Sequence, residues 1–388
     1  MKIEKPLNPN FSSGPCRKNH DWEISTSLRN ALVGRSHRSK TGKIRIKNVI
    51  ELTKRVLEIP KDYILAIVPG SDTGAIELAF WNFLGFRGVD VLAWDSFGHD
   101  WVNDIVNQLK ISDVRVFTSE YGQLPDLKKV SFSRDVVFTW NGTTSGVCIP
   151  NSDWIKNERE GLTICDATSA VFAMPIDWQS LDITTFSWQK SLGGEAAHGV
   201  LILSPRAINR LKEYKPDWPV PKLFNLFKNK KINFELFEGL TINTPSMLAI
   251  EDWHNALIWA KNMGGLNTLH IIAQKNLNVI KTFCEENEWI NFLANEPSII
   301  SCTSVCLKFD DKWYNILSEI EQRKIAKDLC IYLEENEVAY DIEGYRSAPP
   351  GIRIWCGPTI PTSDIKKLMP WIFKAWEYVK KNNLKISK

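Results

Sequence analysis

The sequence predicts an α/β protein: a mostly parallel sheet flanked by helices, followed by a smaller α+β unit. Three observations carry this. Short apolar runs alternate with helical stretches through residues 63–203, the pattern of strands buried on both faces. Proline and basic residues break that alternation over 212–245. Beyond the break, strands and long helices follow one another in a different order. The chain has 388 residues, enough for two well-formed cores. The expected division is an arm at 1–20, a large domain at 21–262 and a small domain at 263–388.

Residues 1–20 are rich in Pro, Asn, Ser and Lys and read as an extended arm. Val49, Ile50, Leu52, Val56 and Leu57 recur at helical spacing, so 47–58 is expected to be a helix. Strands are expected at 63–68, 89–94, 114–117, 136–140, 162–165, 183–187 and 200–203, with helices at 74–84 and 100–109. Lys228-Asn229-Lys230-Lys231 reads as a solvated loop. Pro245 suits the start of a helix over 246–262. The small domain reads as a strand at 299–309, a helix at 313–336, strands at 338–342 and 352–356, and a closing helix at 362–381. Thr362 or Ser363 is the expected cap of that last helix, and Pro370 interrupts it.

Charge excludes some functions. Forty-eight basic against 45 acidic residues leave a formal net charge of +3, which gives no electrostatic case for nucleic-acid binding. The eight cysteines include no Cys-x-x-Cys pair, so they read as reduced buried thiols, not as metal ligands. Cys302 and Cys306 share a face of the strand expected there. No signal peptide and no membrane-length apolar run is visible, so a soluble, cytoplasmic protein is expected.

The chemistry concentrates at Lys190. In Thr185-Phe186-Ser187-Trp188-Gln189-Lys190-Ser191-Leu192-Gly193-Gly194 a β-like run ends in a lysine and breaks into a glycine-rich turn. Upstream, the run Ile164-Cys165 ends in Asp166. A lysine forms an imine with an aldehyde, and a buried aspartate holds a pyridine nitrogen protonated. Together they are what pyridoxal 5'-phosphate chemistry requires: a covalent anchor and a partner for the electron sink. Alone, a strand-end aspartate reads as a helix cap; the combination with Lys190 shifts the reading. Ligands of parallel sheets sit outside the carboxyl ends of strands, and further polar residues lie there. Pro69-Gly70-Ser71-Asp72-Thr73-Gly74 opens a helix whose free N–H groups suit a phosphate. Asp72 is an odd side chain beside a phosphate and is expected to turn away and cap the helix. Trp140-Asn141-Gly142-Thr143-Thr144-Ser145-Gly146 is a second polar turn, either ordinary or in contact with a ring oxygen.

With these segments stand Asn10-Phe11-Ser12-Ser13-Gly14-Pro15, Gly34-Arg35-Ser36-His37-Arg38-Ser39 and Thr241-Ile242-Asn243-Thr244-Pro245. In this order, from about residue 6 to near the end, the chain resembles the phosphoserine aminotransferase family, in the branch common among alphaproteobacteria. The resemblance implies a fold-type I pyridoxal-phosphate enzyme with a seven-stranded sheet, and it implies a homodimer with active sites at the interface. It implies that Lys190 carries the cofactor and that Asp166 bonds the pyridine nitrogen, with Gln189 near the ring hydroxyl and Thr143 on its phenolic side. Ser71, Asp72, Thr73 and Thr168 would surround the phosphate and ring, and Asn243 and Thr244 would reach the phosphate from the other subunit. Arg353 would clamp the substrate α-carboxylate. His37 and Arg38 would engage the distal phosphate across the interface, with Arg346 a second candidate.

Two positions depart from the commoner branch. Asp72 stands where that branch has arginine, and Phe97 stands where it stacks a tryptophan, with Trp94 and Trp101 close by. The implied reaction is reversible amino transfer between O-phospho-L-serine and 2-oxoglutarate, giving 3-phosphohydroxypyruvate and L-glutamate, in serine biosynthesis. Some members also use 4-phosphohydroxythreonine, in pyridoxine biosynthesis. An alanine- or serine-glyoxylate aminotransferase is the alternative, but its substrates lack a distal anion and would leave Arg38 idle. A regulatory homologue without cofactor would be expected to have lost Lys190 or Asp166. A cysteine desulfurase needs a thiol on a mobile loop, whereas Cys302, Cys306 and Cys356 read as strand residues.

Overall fold

The computed structural model describes residues 3–386. The seven apolar runs between 63 and 203 form one sheet. Its strands are β1 (Ile64–Pro69), β2 (Val89–Ala93), β3 (Val114–Thr118), β4 (Asp135–Thr139), β5 (Thr163–Asp166), β6 (Ile183–Ser187) and β7 (His198–Leu203). The spatial order is β1-β7-β6-β5-β4-β2-β3. β7 runs antiparallel to both its neighbours, and the remaining pairs are parallel. β2, β4, β5 and β6 are buried along their whole length, because helices cover both faces. β3 is the exception. It is an edge strand, largely exposed, and Arg115 stands on it, a charge that discourages pairing with another chain.

The helices around the sheet are α1 (Lys40–Val56), α2 (Ser71–Phe83), α3 (Ser96–Asn103), α4 (Pro205–Glu213) and α5 (Met247–Asn262). α1 begins before the expected 47, because Ser39 caps it by accepting from Gly42 N–H. α3 continues into a π-helical turn at Asp104–Gln108. The stretch 212–245 is irregular apart from short 3₁₀ turns and a small hairpin, Phe227–Lys228 with Lys231–Ile232. There Lys228 pairs with Glu235 on the surface. Ser246 caps α5, so Pro245 lies just outside the helix.

The C-terminal part departs further from expectation. Helix α6 (Leu266–Glu285) and strand β8 (Ile290–Phe292) were not anticipated. β8 joins β9 (Ser304–Phe309) and β10 (Gly351–Trp355) in an antiparallel sheet. β9 starts later than 299 because Pro297–Ile299 forms a 3₁₀ turn. Residues 338–342 are not a strand; they make a single bridge, Tyr340 with Asn10. The expected helix 313–336 splits into Lys312–Asn315 and α7 (Glu319–Glu335), the latter opened by a Ser318/Glu321 capping box. In α8 (Thr362–Ile386) Pro370 is accommodated inside the helix. Thr362 is already its first helical residue and donates its hydroxyl to Asn276 Oδ1 at 2.6 Å. Of Cys302, Cys306 and Cys356, only Cys306 lies in a strand. Cys302 and Cys356 flank strands, and all eight thiols are free.

The N-terminal arm is packed, not loose. Phe11 is fully buried and its carbonyl accepts from Trp355 N–H at 3.0 Å, while Pro9 carbonyl accepts from Tyr340 N–H. The arm thus runs along the small sheet and delivers Ser13 and Gly14 to the carboxyl edge of the large one.

Candidate active site

The carboxyl ends of β4, β5 and β6, the start of α2 and the arm enclose a cavity of about 300 Å³. Lys190 and Asp166 line it together with Ser71, Asp72, Thr73, Phe97, Thr143, Thr168 and Gln189. Each arrives by the same logic: strands buried on both faces must end in a turn, and polar side chains collect at those turns.

Lys190 is buried, and its Nζ donates to the carbonyl of Ser13. The amine lies 5.9 Å from the centroid of the Trp355 ring. Burial holds its pKa below the ordinary lysine value, and the nearby Arg353 cation lowers it further. A lysine so placed is more readily neutral and nucleophilic. Burial also pushes the Cys16 thiol up to about 12, so Cys16 stays a thiol. Asp166 Oδ1 accepts from Thr168 N–H at 2.9 Å, and Oδ2 accepts from the Trp101 indole Nε1–H at 3.2 Å. These two donors fix the orientation of the Asp166 carboxyl group.

α2 begins at the edge of the cavity. Gly70 takes a left-handed conformation (φ 84°) just before it, a turn that glycine makes without strain, and the helix N-terminus then points its free N–H groups at the space beside Ser71 and Thr73. Thr143 donates to Ser169 Oγ at 2.8 Å, and Asn141 Nδ2 bonds Ser169 and Thr303. These bonds tie the turn after β4 to the loop after β5 and to the small sheet.

One expectation needs correction. Asp72 does not turn away to cap the helix; it is buried and lines the cavity. Trp94 lies in the core with its indole bonded to Val147 carbonyl, whereas Phe97 and Trp101 line the cavity. The remaining candidates do not join it within one chain. Arg38, Asn243, Thr244 and Arg346 are exposed, His37 is half-buried, and none lines the cavity. Burial and the Arg38 cation lower the pKa of His37. Arg353 also stands outside the cavity lining, but its charge is felt at Lys190, its Nε is buried without a partner, and its guanidinium sits 5.5 Å from the Tyr345 ring centroid.

Sequence reasoning missed several contributors. Ser13, Gly14 and Pro15 of the arm frame Lys190; the only signal was the motif that contains them. Trp101 stands in the sequence only as a neighbour of the expected stacking ring Phe97, whereas its indole N–H holds Asp166. Tyr345 packs against Phe97, with centroids 6.1 Å apart, and against Arg353, which no local pattern announces.

The cavity holds polar atoms without partners. Both oxygens of Asp72, the hydroxyls of Thr139 and Thr168, Asn141 Oδ1 and Gln189 Oε1 are buried and unpaired, and all these residues line it. A folded chain leaves few such atoms, so their convergence marks a place for a polar ligand. A flat ring bearing a hydroxyl, an aldehyde and a phosphate suits it: an amine stands for the aldehyde, a carboxylate for the ring nitrogen, a helix N-terminus for the phosphate. Among the described residues no group of three or more His, Cys, Asp or Glu side chains could hold a metal ion.

The family described as aminotransferase class-V matches residues 112–282. Fold and cavity together define a pyridoxal-phosphate-dependent aminotransferase. Over 375 residues the chain is 55% identical to the phosphoserine aminotransferase of Methanosarcina mazei, covering 97% of this chain and 98% of that one. It is 54% identical to that of Methanosarcina barkeri over the same shares of the two chains. The chain belongs to the phosphoserine aminotransferase family. Solved structures share the fold. A phosphoserine aminotransferase from Cytophaga hutchinsonii superposes with a TM-score of 0.79 at 21% identity, over 95% of this chain and 98% of that one. A ureidoglycine-glyoxylate aminotransferase from Bacillus subtilis superposes at 0.76 and 13% identity, over 98% of this chain and 95% of that one, so the fold by itself does not select a substrate.

Proposed function

We propose that this protein transfers the amino group between O-phospho-L-serine and 2-oxoglutarate, reversibly, giving 3-phosphohydroxypyruvate and L-glutamate. The observation that carries the reading is the cavity in which Lys190 and Asp166 meet among unpaired polar atoms, in a chain 55% identical to a phosphoserine aminotransferase. The same reading makes the protein a cytoplasmic enzyme of serine biosynthesis. Among the described residues no helix is long and apolar enough to cross a membrane.

Bound pyridoxal 5'-phosphate supplies the electron sink that makes a substrate Cα–H acidic. The residues do the rest. Lys190 would anchor the cofactor, and its Nζ, when free, would carry the substrate Cα proton. Asp166, held by Thr168 and Trp101, would pair with the ring nitrogen. The α2 N-terminus with Ser71, Thr73 and Thr168 would hold the phosphate. Gln189 and Thr143 would serve the ring hydroxyl, and Phe97 would pack on the ring. Arg353 binds the α-carboxylate through its planar fork.

A distal anion needs a second cationic pocket. His37, Arg38, Asn243 and Thr244 do not line the cavity of their own chain, and Val33, Ile44, Leu248 and Ile258 beside them in sequence expose apolar side chains. That pattern supports a homodimer in which a second copy completes the site with these four residues; Arg346 serves at the rim. The arm at 1–20 and the division near 262 belong to the same reading. The test is Lys190→Ala. It should lose the visible band of the lysine-bound cofactor and all turnover of phosphoserine; retained turnover would overturn the assignment. Mixing Lys190→Ala with Arg38→Ala subunits should restore activity if sites are shared, and no rescue would refute the shared site.

A further inference from the structure

Asp72 is the buried titratable group that the mechanism leaves unused. It is the second residue of α2, 6% exposed, and neither carboxyl oxygen has a hydrogen-bond partner. The Asp166 carboxylate from β5 and the hydroxyls of Thr185 on β6 and Thr168 in the following loop all face it, and Cys165 lies close by. Thr185 Oγ1 and Thr168 Oγ1 are themselves buried and unpaired. Lys190 and Asp95 are the further charges around Asp166.

An ionised Asp72 would be poorly placed. It would face the Asp166 carboxylate on one side and, on the other, an anion held at its own helix N-terminus. Two carboxylates sharing a dry site do not both ionise. Burial, and then the Asp166 charge, push the Asp72 carboxyl well above the ordinary range. Asp166 already takes two donors, from Thr168 and Trp101, which marks it as the acceptor of the pair. One added proton turns two facing acceptors into a donor and an acceptor, with the Asp72 O–H directed at Asp166.

We propose that Asp72 serves as a neutral carboxylic acid that donates a hydrogen bond to Asp166, positioning that carboxylate and leaving one negative charge opposite the cofactor's ring nitrogen. Asp72 is thus a positioning residue, and its role rests on the reading of Asp166 given above. It also accounts for an acidic side chain in a phosphate-binding turn, since a neutral acid does not repel the phosphate.

The test uses the wild-type chain, Asp72→Asn and Asp72→Ala. Infrared spectra of cofactor-free protein with isotope-labelled aspartate should show a protonated-carboxyl C=O band at neutral pH, and Asp72→Asn should lack it. Asparagine keeps a neutral donor at this place, so Asp72→Asn should bind pyridoxal phosphate about tenfold more tightly than Asp72→Ala. A wild-type protein without the band, a band that survives Asp72→Asn, or equal weakening in both variants would overturn the proposal. Failure of the underlying reading looks different: wild-type protein given pyridoxal phosphate would develop no visible band, although its infrared band stood.

Discussion

The indole of Trp101 donates to Asp166 Oδ2 at 3.2 Å, from the helix that follows β2 to the end of β5. Trp101 is buried and its ring meets Phe80 edge-on, with centroids 6.3 Å apart, so the donor is held in place by packing. A bond to a charged acceptor contributes about 1.5–3 kcal/mol. Trp101→Phe keeps most of the apolar volume and removes the donor. It should weaken pyridoxal phosphate binding by about tenfold, with a shifted visible spectrum and little loss of thermal stability. Unchanged affinity by equilibrium titration would remove Trp101 from the site.

Gly14 sits against the reactive amine. A Cβ built there would stand 2.7 Å from Lys190 Nζ, too close for van der Waals contact. The clash falls on the free end of a flexible side chain, so Gly14→Ala should push the amine aside, and because Gly14 holds φ +153° the alanine should also cost about 1–3 kcal/mol of backbone strain. A displacement near 1 Å at a reacting group costs about a hundredfold in rate. The expected outcome is kcat lowered by about two orders of magnitude in a protein that still folds, with a melting temperature somewhat below wild type. Wild-type kcat in the alanine variant would sink the argument.

What the sequence disclosed follows from these contacts. Six of the seven strands were legible because each is a short, mostly buried apolar run, Asp166 because it ends one and Lys190 because it closely follows another. α6 and β8 were not foreseen: the long α6 buries only a narrow stripe of small and apolar residues, and three-residue β8 is too short to show a period. Asp72 was misread because a local rule, the acidic helix cap, lost to a tertiary arrangement that turns it toward Asp166 and Thr185. Residues 338–342 are apolar enough for a strand, but their single bridge is to the arm, which no local pattern reveals. His37, Arg38, Asn243 and Thr244 were named through resemblance, and one chain alone does not bring them to the cavity.

Arg17 and Asp364 tie the arm to α8. Nη1 and Oδ2 lie 2.9 Å apart, with the side chains 4% and 2% exposed, and Asp364 Oδ1 also accepts from Leu7 N–H. Removing one member of such a pair strands a buried charge and costs about 3–5 kcal/mol. Arg17→Ala should therefore lower the unfolding free energy by about that amount. It should also raise KM, because the arm carries Ser13 and Gly14 to Lys190. Replacing both residues with apolar ones of similar size should restore much of the stability. Equal urea midpoints for wild type and Arg17→Ala would refute the coupling.

His198 gives the fold an acid limit. Its ring is buried at the start of β7, packs edge-on against Trp188 with centroids 5.1 Å apart, and its Nε2 accepts from Ser246 N–H at 3.0 Å. Accepting there requires the neutral ring. Burial lowers its pKa from 6.5 to about 4. At pH 7 neither folded nor unfolded chain protonates it appreciably. Between 6.5 and 4 the unfolded chain takes up a proton that the folded one refuses, so stability falls as pH falls through this window. At about 1.4 kcal/mol per unit, the full loss is roughly 3 kcal/mol. His198→Gln removes the titrating group and keeps an acceptor, so its unfolding free energy should decline less steeply between pH 6.5 and 4.5. Denaturant melts at several pH values measure both slopes, and parallel curves would show that His198 does not set the limit.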